Sequence, residues 1–325
     1  MMSGNGIWCQ CHPILANFIS NYLEQVLVTC TFSGWCPKCE VPCDQLGDYD
    51  TFSSCNHRKA CETYALADGN VCPFYSACRE SGIKPIAYPF WESLLHTNIY
   101  ISITPDVLHQ LLQGVMKHVI AWLSNLLIFR PQGIDAWCHL MPPNHQITLF
   151  PRGITSLSRV LGKEHKNMCR VLLGLIIDLP LAGGSSSARV LRAVRRLLNF
   201  LYLAQLPSQT HDMVSHLERL LVTFHENKDI FIDLGVQQHF NIPKFHSLLH
   251  YSLSILLFGT TDNYNTKQTG GLLELRPPPG ASFPTVEKCG KEGKNHEHDV
   301  PQYIAHTRVT VTHHLEPHGA PICYI

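Results

Sequence analysis

Asp106 and His109 stand three residues apart behind Thr104 and Pro105, a spacing that puts a carboxylate and an imidazole on one face at the start of a helix. Such a pair can help hold a metal ion, orient a substrate or relay a proton. A second chemical group is Cys36-Pro37-Lys38-Cys39, two thiols in a tight turn that make half of a tetrahedral zinc site. Its other half is open on sequence grounds: Cys30 lies upstream, Cys43 four residues beyond Cys39, and Cys55, His57 and Cys61 follow within reach. His246 and His250 form a third group, four residues apart on a helix opened by Pro243, which could bring both rings to one ion. Ser247 follows His246, so the His-Glu pattern of metalloproteases is missing, and a satisfied buried histidine is the plainer reading of His250.

These residues need elements to position them. Thr104 is a good N-cap and Pro105 suits the first helical position, so a long helix is expected over 107–127. Leu108, Leu111, Leu112, Val115, Met116, Val119, Ile120, Leu123 and Leu127 recur at three- and four-residue steps and give it one buried stripe. Similar periodicity predicts helices over 188–203 and 213–227, and one from Pro243 to Phe258 ended by Gly259. The N-terminal part reads as a helix followed by a short strand over 25–31. An extended segment is expected over 99–103, and an irregular, helix-poor region over 44–83. Asp229 and Asp233 read as cap and turn residues between helices rather than as paired catalytic acids.

Composition limits what the chain can be. It has 325 residues, 45% of them hydrophobic and 15% charged, which indicates a globular protein of one large or two medium domains. No apolar run is long enough to span a bilayer, and no signal peptide is visible. With 25 basic and 25 acidic side chains there is no overall cationic excess, so any contact with DNA requires a local patch. The best candidate is Arg189, Arg192, Arg195 and Arg196, whose helical spacing also fits the solvated face of an amphipathic helix. Ten of the 14 cysteines fall between Cys9 and Cys78, and without a secretory signal that crowding points to metal binding rather than disulfides.

The run from Asn98 to Leu123, built around Thr104-Pro105-Asp106-Val107-Leu108-His109, resembles the central signature of the Plavaka-type transposases. These are fungal cut-and-paste enzymes related to the CACTA superfamily. The resemblance continues upstream through His12-Pro13-Ile14-Leu15-Ala16, Cys36-Pro37-Lys38-Cys39 and Pro89-Phe90-Trp91-Glu92. Downstream it runs through Phe224-His225-Glu226-Asn227-Lys228-Asp229, Lys244-Phe245-His246 and Gly259-Thr260-Thr261-Asp262-Asn263. It implies an α/β (α+β) fold: an incomplete ribonuclease-H-like core, a zinc-knuckle-like Cys-rich segment and a large, mainly helical insertion. The organisation expected is a partial nuclease core over 1–35, a Cys-rich zinc-binding and loop region over 36–97, the helical insertion and return to the core over 98–269, and a divergent, disordered tail over 270–325. After Thr269 the family pattern is lost, which suggests a frame-slipped or misjoined tail.

The same resemblance implies phosphoryl transfer on DNA by two Mg²⁺ ions held by three carboxylates. Here the acids fail. The first lies on a strand upstream of the matched region and is not found. Asn5 occupies the second position and Lys267 the third, so one ligand becomes neutral and another becomes a cation. Asp106 and His109 survive as the family's Asp-x-x-His motif. The resulting expectation is a truncated, degenerate transposase without cutting activity, retaining some DNA binding, located in the nucleus or otherwise the cytoplasm. Its expected partners are transposon ends and other copies, its own or intact. Its expected cofactor is a structural Zn²⁺ on Cys36, Cys39, Cys30 and Cys43, with Mg²⁺ confined to intact relatives. The alternative is a zinc-stabilised module that binds protein or nucleic acid without catalysis.

Overall fold

A computed structural model describes residues 14–69, 71–94, 96–127, 134–140, 162–177 and 187–266. It also describes residues 142, 150, 153, 154 and 160 and short strands at 11–12, 312–314 and 322–324. Asn5, Lys267 and most of the tail lie outside the described residues. Helix dominates. The strands are β1 (Cys11–His12), β2 (Thr312–His314) and β3 (Ile322–Tyr324), ordered β1-β3-β2 with β1 parallel and β2 antiparallel to β3. Elsewhere among the described residues pairing is confined to isolated bridges, Phe18 with Ile103, Thr31 with Ile83 and Cys39 with Ser54. The expected large helical part is therefore present, whereas a ribonuclease-H-like sheet is not found among the described residues.

Several local expectations are corrected by capping. The segment expected as a strand over 25–31 begins instead with helix α1, Tyr22–Val28, because the Asn21 side chain accepts from the amides of Leu23 and Glu24. The helix-poor region contains α2, His57–Tyr64, capped by Asn56, and α3, Val71–Glu80. The extended segment over 99–103 is a single turn, α4, Ile99–Ser102, capped by Asn98, and only Ile103 is extended. For α1, α2 and α4 one Asn side chain caps the first turn and fixes where the helix starts.

The long helix after Pro105 is present but starts differently. Its cap is Asp106, not Thr104, and its first part, Val107–Met116, is a π-helix that passes into α5, Lys117–Leu127. Gly114 lies at the tight point of this wide stretch: a Cβ there would come within 2.6 Å of the Lys244 stem and 3.0 Å of the His109 carbonyl. The π-helix and α5 bury Leu111, Leu112, Val115, Met116, Val119, Ile120 and Leu123 of the expected stripe, with Leu108 half-buried, in one core with α7 (Gly162–Ile176), α8 (Ser187–Ala204) and α9 (His211–Asn227), which follow α6 (Ile134–Leu140). Val190, Val194, Leu197, Leu198 and Leu201 from α8 meet Val214, Leu217, Leu221 and Phe224 from α9 in this core. After the one-turn α10, Ile230–Asp233, the expected helix from Pro243 forms as α11, Pro243–His246, a tighter turn over Ser247–His250, and α12, Tyr251–Phe258. Gly259 ends it at a φ of 81°, as a left-handed stop requires.

The Cys-rich part has small cores of its own. Trp91, Tyr64, Tyr100, Ile99, Cys78 and Cys30 form one, with the Trp91 indole donating to the Val28 carbonyl at 2.7 Å; Cys36, Cys39, Val41 and Leu46 form another. A loop from this part seats on the helical body at Gly47. Its amide donates to Asn241 Oδ1 at 2.9 Å, its carbonyl accepts from Lys228 Nζ, and a Cβ there would meet the Phe240 backbone at 2.9 Å.

Candidate functional site

Asp106 is fully buried, yet every oxygen of its carboxylate is used. Oδ2 accepts from the His109 amide at 2.7 Å, which caps the helix, and from His109 Nδ1 at 2.6 Å. The Thr266 amide donates to Oδ1 at 3.2 Å, and its hydroxyl lies 3.0 and 2.9 Å from the two oxygens. With a carboxylate on Nδ1, that nitrogen carries the proton. His109 is the accessible member of the pair, its side chain 35% exposed. The motif therefore presents an oriented imidazole, and the acid behind it is an anchor. Thr266 thus meets the Asp-x-x-His pair across 160 residues of sequence.

The second centre joins two groups that are separate in the sequence. Cys36, Cys39, His246 and His250 converge with all ligand atoms within 4.8 Å of one another. Cys36 Sγ lies 3.2 Å from His250 Nε2 and Cys39 Sγ lies 3.1 Å from His246 Nε2. Zinc bonds of about 2.3 Å to sulfur and about 2.0 Å to nitrogen at a tetrahedral angle would set these atoms about 3.5 Å apart. The donor set and its spacing therefore fit a tetrahedral cation after a few tenths of an ångström of opening. His246 Nδ1 is buried without a partner among the described residues, so that ring makes its polar contact through Nε2, which points into the cluster. A hydrogen bond from Cys36, with others from His246 and His250, holds the Cys39 thiol far below its ordinary range, while burial pushes the Cys36 thiol well up.

Residues 1–123 match the Plavaka transposase family. That segment is similar to Plavaka transposases and spans 123 of the 325 residues. No curated protein matches the chain. The match includes Cys36, Cys39, Asp106 and His109 and stops before His246, His250 and Thr266, so each centre is completed by residues beyond the matched Plavaka segment.

Of the expected metal ligands, Cys36 and Cys39 join the cluster, whereas Cys30 and Cys43 do not. Cys30 is buried in the small aromatic core with Tyr64 and Cys78, and Cys43 is exposed at the start of a short 3₁₀ turn. Their places are taken by His246 and His250. The helical spacing of those two histidines is the sequence signal for this; their link to cysteines more than 200 residues away is not readable from spacing. The arginine patch is partly committed. Arg189 pairs with Asp233 at 2.9 Å and Arg192 bonds Asn227 Oδ1 at 3.2 Å. Arg195 is exposed, and Arg196 is half-buried with a buried Nε that has no partner among the described residues.

Sequence reasoning missed the polar lattice behind Asp106. Gln110 accepts the Asp106 amide at 3.1 Å and donates to Gln25 Oε1 at 2.8 Å. Gln25 in turn donates to the carbonyls of Ser20 and Thr104 at 3.0 and 2.8 Å. Lys38, between the two cluster cysteines, donates through Nζ to the carbonyls of Tyr100 and Ile101 at 3.3 Å each and to that of Ile103. Burial lowers its pKa to about 8. Among the described residues no helix is long and apolar enough to cross a membrane.

Proposed function

We propose that this protein derives from a cut-and-paste DNA transposase of ribonuclease-H-like ancestry, has lost strand cleavage, and retains DNA binding together with a structural Zn²⁺. The observation that carries this reading is the Asp106–His109–Thr266 arrangement, whose first two members lie inside the segment matched to Plavaka transposases and whose third lies beyond it. It keeps the supporting motif of a nuclease site. The aligned acids, however, are Asn5 and Lys267, an amide and an ammonium that cannot hold two hard dications. Zn²⁺ is assigned to Cys36, Cys39, His246 and His250 because mixed thiolate and imidazole donors suit it and leave no open position for catalysis. When bound it supplies cross-linking of the Cys-rich segment to the helical body and no chemistry on substrate.

DNA is the partner this origin implies, in the nucleus, with other copies of the chain or intact transposase as further partners. Arg192 and Arg195 are the exposed cations on α8 available for phosphate contact. The test is paired. Purified protein should leave a supercoiled plasmid intact with Mg²⁺ or Mn²⁺, and nicking that disappears in Asp106→Ala would overturn the loss of cleavage. Its affinity for duplex transposon ends should fall steeply with salt, and the double change Arg192→Glu, Arg195→Glu should flatten that dependence by roughly two phosphate contacts. The second reading, a zinc-stabilised interaction module, is favoured by the four-ligand cluster itself. Stoichiometric zinc without salt-dependent DNA affinity would select it.

A further inference from the structure

Five successive carbonyls, from Tyr100 to Thr104, lead from the end of α4 into the cap at Asp106, and each is met by a donor from another part of the chain. Lys38 Nζ takes Tyr100, Ile101 and Ile103. The Phe18 amide takes Ser102 at 2.7 Å, and Gln25 takes Thr104. A helix end leaves such carbonyls without partners in the helix, and a buried one must find donors elsewhere. Three of the five therefore depend on one buried ammonium group.

The position of that ammonium is set by the metal-ligating loop. Lys38 lies between Cys36 and Cys39, its amide approaches Cys36 Sγ at 3.4 Å, and its carbonyl accepts from the Cys55 amide at 2.9 Å. With both cysteines on one ion the backbone between them is closed into a ring; without the ion the loop keeps its backbone bond to Cys55 and its thiol–imidazole contacts but loses that closure. We propose that Lys38 is a positioning residue through which occupancy of the Cys36–Cys39–His246–His250 cluster sets the orientation of His109. The path is short and continuous: Lys38 fixes the turn over 100–103, Gln25 and Gln110 fix Thr104 and the Asp106 amide, and Asp106 fixes the imidazole. No step passes through solvent. The inference rests on the metal reading above.

The test uses the full chain with ¹⁵N-labelled histidine, the His109 signals being identified by their loss in His109→Gln. Cobalt is first titrated into the metal-free protein, and thiolate-to-metal absorption reports the cluster. The ring nitrogen shifts then report the His109 tautomer with zinc bound and after chelation. With zinc, His109 should be held as the Nδ1–H form. Chelation should release it toward the Nε2–H form of an unrestrained imidazole, and zinc should restore it. Lys38→Met should keep the cobalt absorption while losing the Nδ1–H form even with zinc bound, an outcome that a purely structural lysine would not produce. Absence of cobalt absorption in the unaltered chain would sink the metal reading and this inference with it. Full cobalt binding with a His109 tautomer indifferent to chelation would overturn the inference alone. If Lys38→Met fails to fold, chelation and reloading of the unaltered chain still decide the matter.

Discussion

The helical body and the Cys-rich segment are stabilised in different ways. The body buries long stripes from the π-helix, α5, α7, α8 and α9 in one continuous apolar core, with Trp122 stacked on Phe245 at 5.3 Å and Phe224 on Phe245 at 6.0 Å. Each fully buried large side chain there contributes about 1.5–3 kcal/mol, so no single residue decides the fold. The Cys-rich segment has two small cores and attaches to the body through discrete polar contacts: the four-ligand cluster, Lys38, and Gly47 with Lys228 and Asn241. Loss of one such contact removes a large part of what holds it. The comparison predicts broad tolerance in the body and sharp failure in the segment.

The largest expected effect is metal removal. Structural zinc contributes about 10–16 kcal/mol in isolated zinc-finger peptides, an amount comparable with what the two small cores supply at about 1.5–3 kcal/mol for each large buried side chain. Chelation, or Cys39→Ser, should raise amide hydrogen exchange across residues 30–60 while α8 and α9 stay protected. Equal loss of protection in both regions would show that they are one cooperative unit and would break the comparison. The next effect belongs to the body: Leu197→Ala, at a fully buried α8 position, should cost about 2–5 kcal/mol in denaturant unfolding. It should leave cobalt absorption at the cluster unchanged in the folded protein.

The two regions were also unequally legible in sequence. The stripes of α5, α8 and α9 repeat at helical spacing, and burial follows directly from that period, so Leu197, Leu201, Leu217 and Phe224 fall where the pattern puts them. The Cys-rich segment has no period, and its short helices depend on single caps at Asn21, Asn56 and Asn98. For the sites, each half was visible alone: Cys36 with Cys39, His246 with His250, Asp106 with His109. Joining them requires knowing which turns meet in space, and local spacing carries no information about contacts across 160 to 214 residues. Cys30 and Cys43 were nearer in sequence, yet Cys30 faces an aromatic core and Cys43 faces solvent.

An intermediate effect lies at the seam between the regions. His225 packs 5.1 Å from the Tyr49 ring and contacts Lys228 Nζ at 3.0 Å, and burial, with the neighbouring ammonium, lowers its pKa to about 3. The folded protein therefore keeps His225 neutral, while the unfolded chain takes up a proton near pH 6.5. Its contribution to stability is complete above that value and falls as pH drops toward 3, by a few kcal/mol at most. His225→Gln should flatten the stability profile across this window. An unchanged slope would move the acid sensitivity to other buried groups.

The smallest effect tests the outer face of the body. Arg189 and Asp233 form an ion pair at 2.9 Å with side chains 38% and 54% exposed, so solvent screens the attraction and both chains lose rotamer freedom in making it. Arg189→Ala should change unfolding stability by less than about 1 kcal/mol, and less again at high salt. The value of the measurement lies in what it separates. If α8 binds DNA through this face, Arg189→Ala should leave the salt dependence of DNA binding nearly unchanged, because Asp233 already neutralises that guanidinium. Arg195→Ala should reduce it, because Arg195 is exposed and, among the described residues, no polar contact or ion pair is seen for its side chain. Equal effects of the two changes would mean that the pair opens on binding and that the whole arginine face acts as one surface.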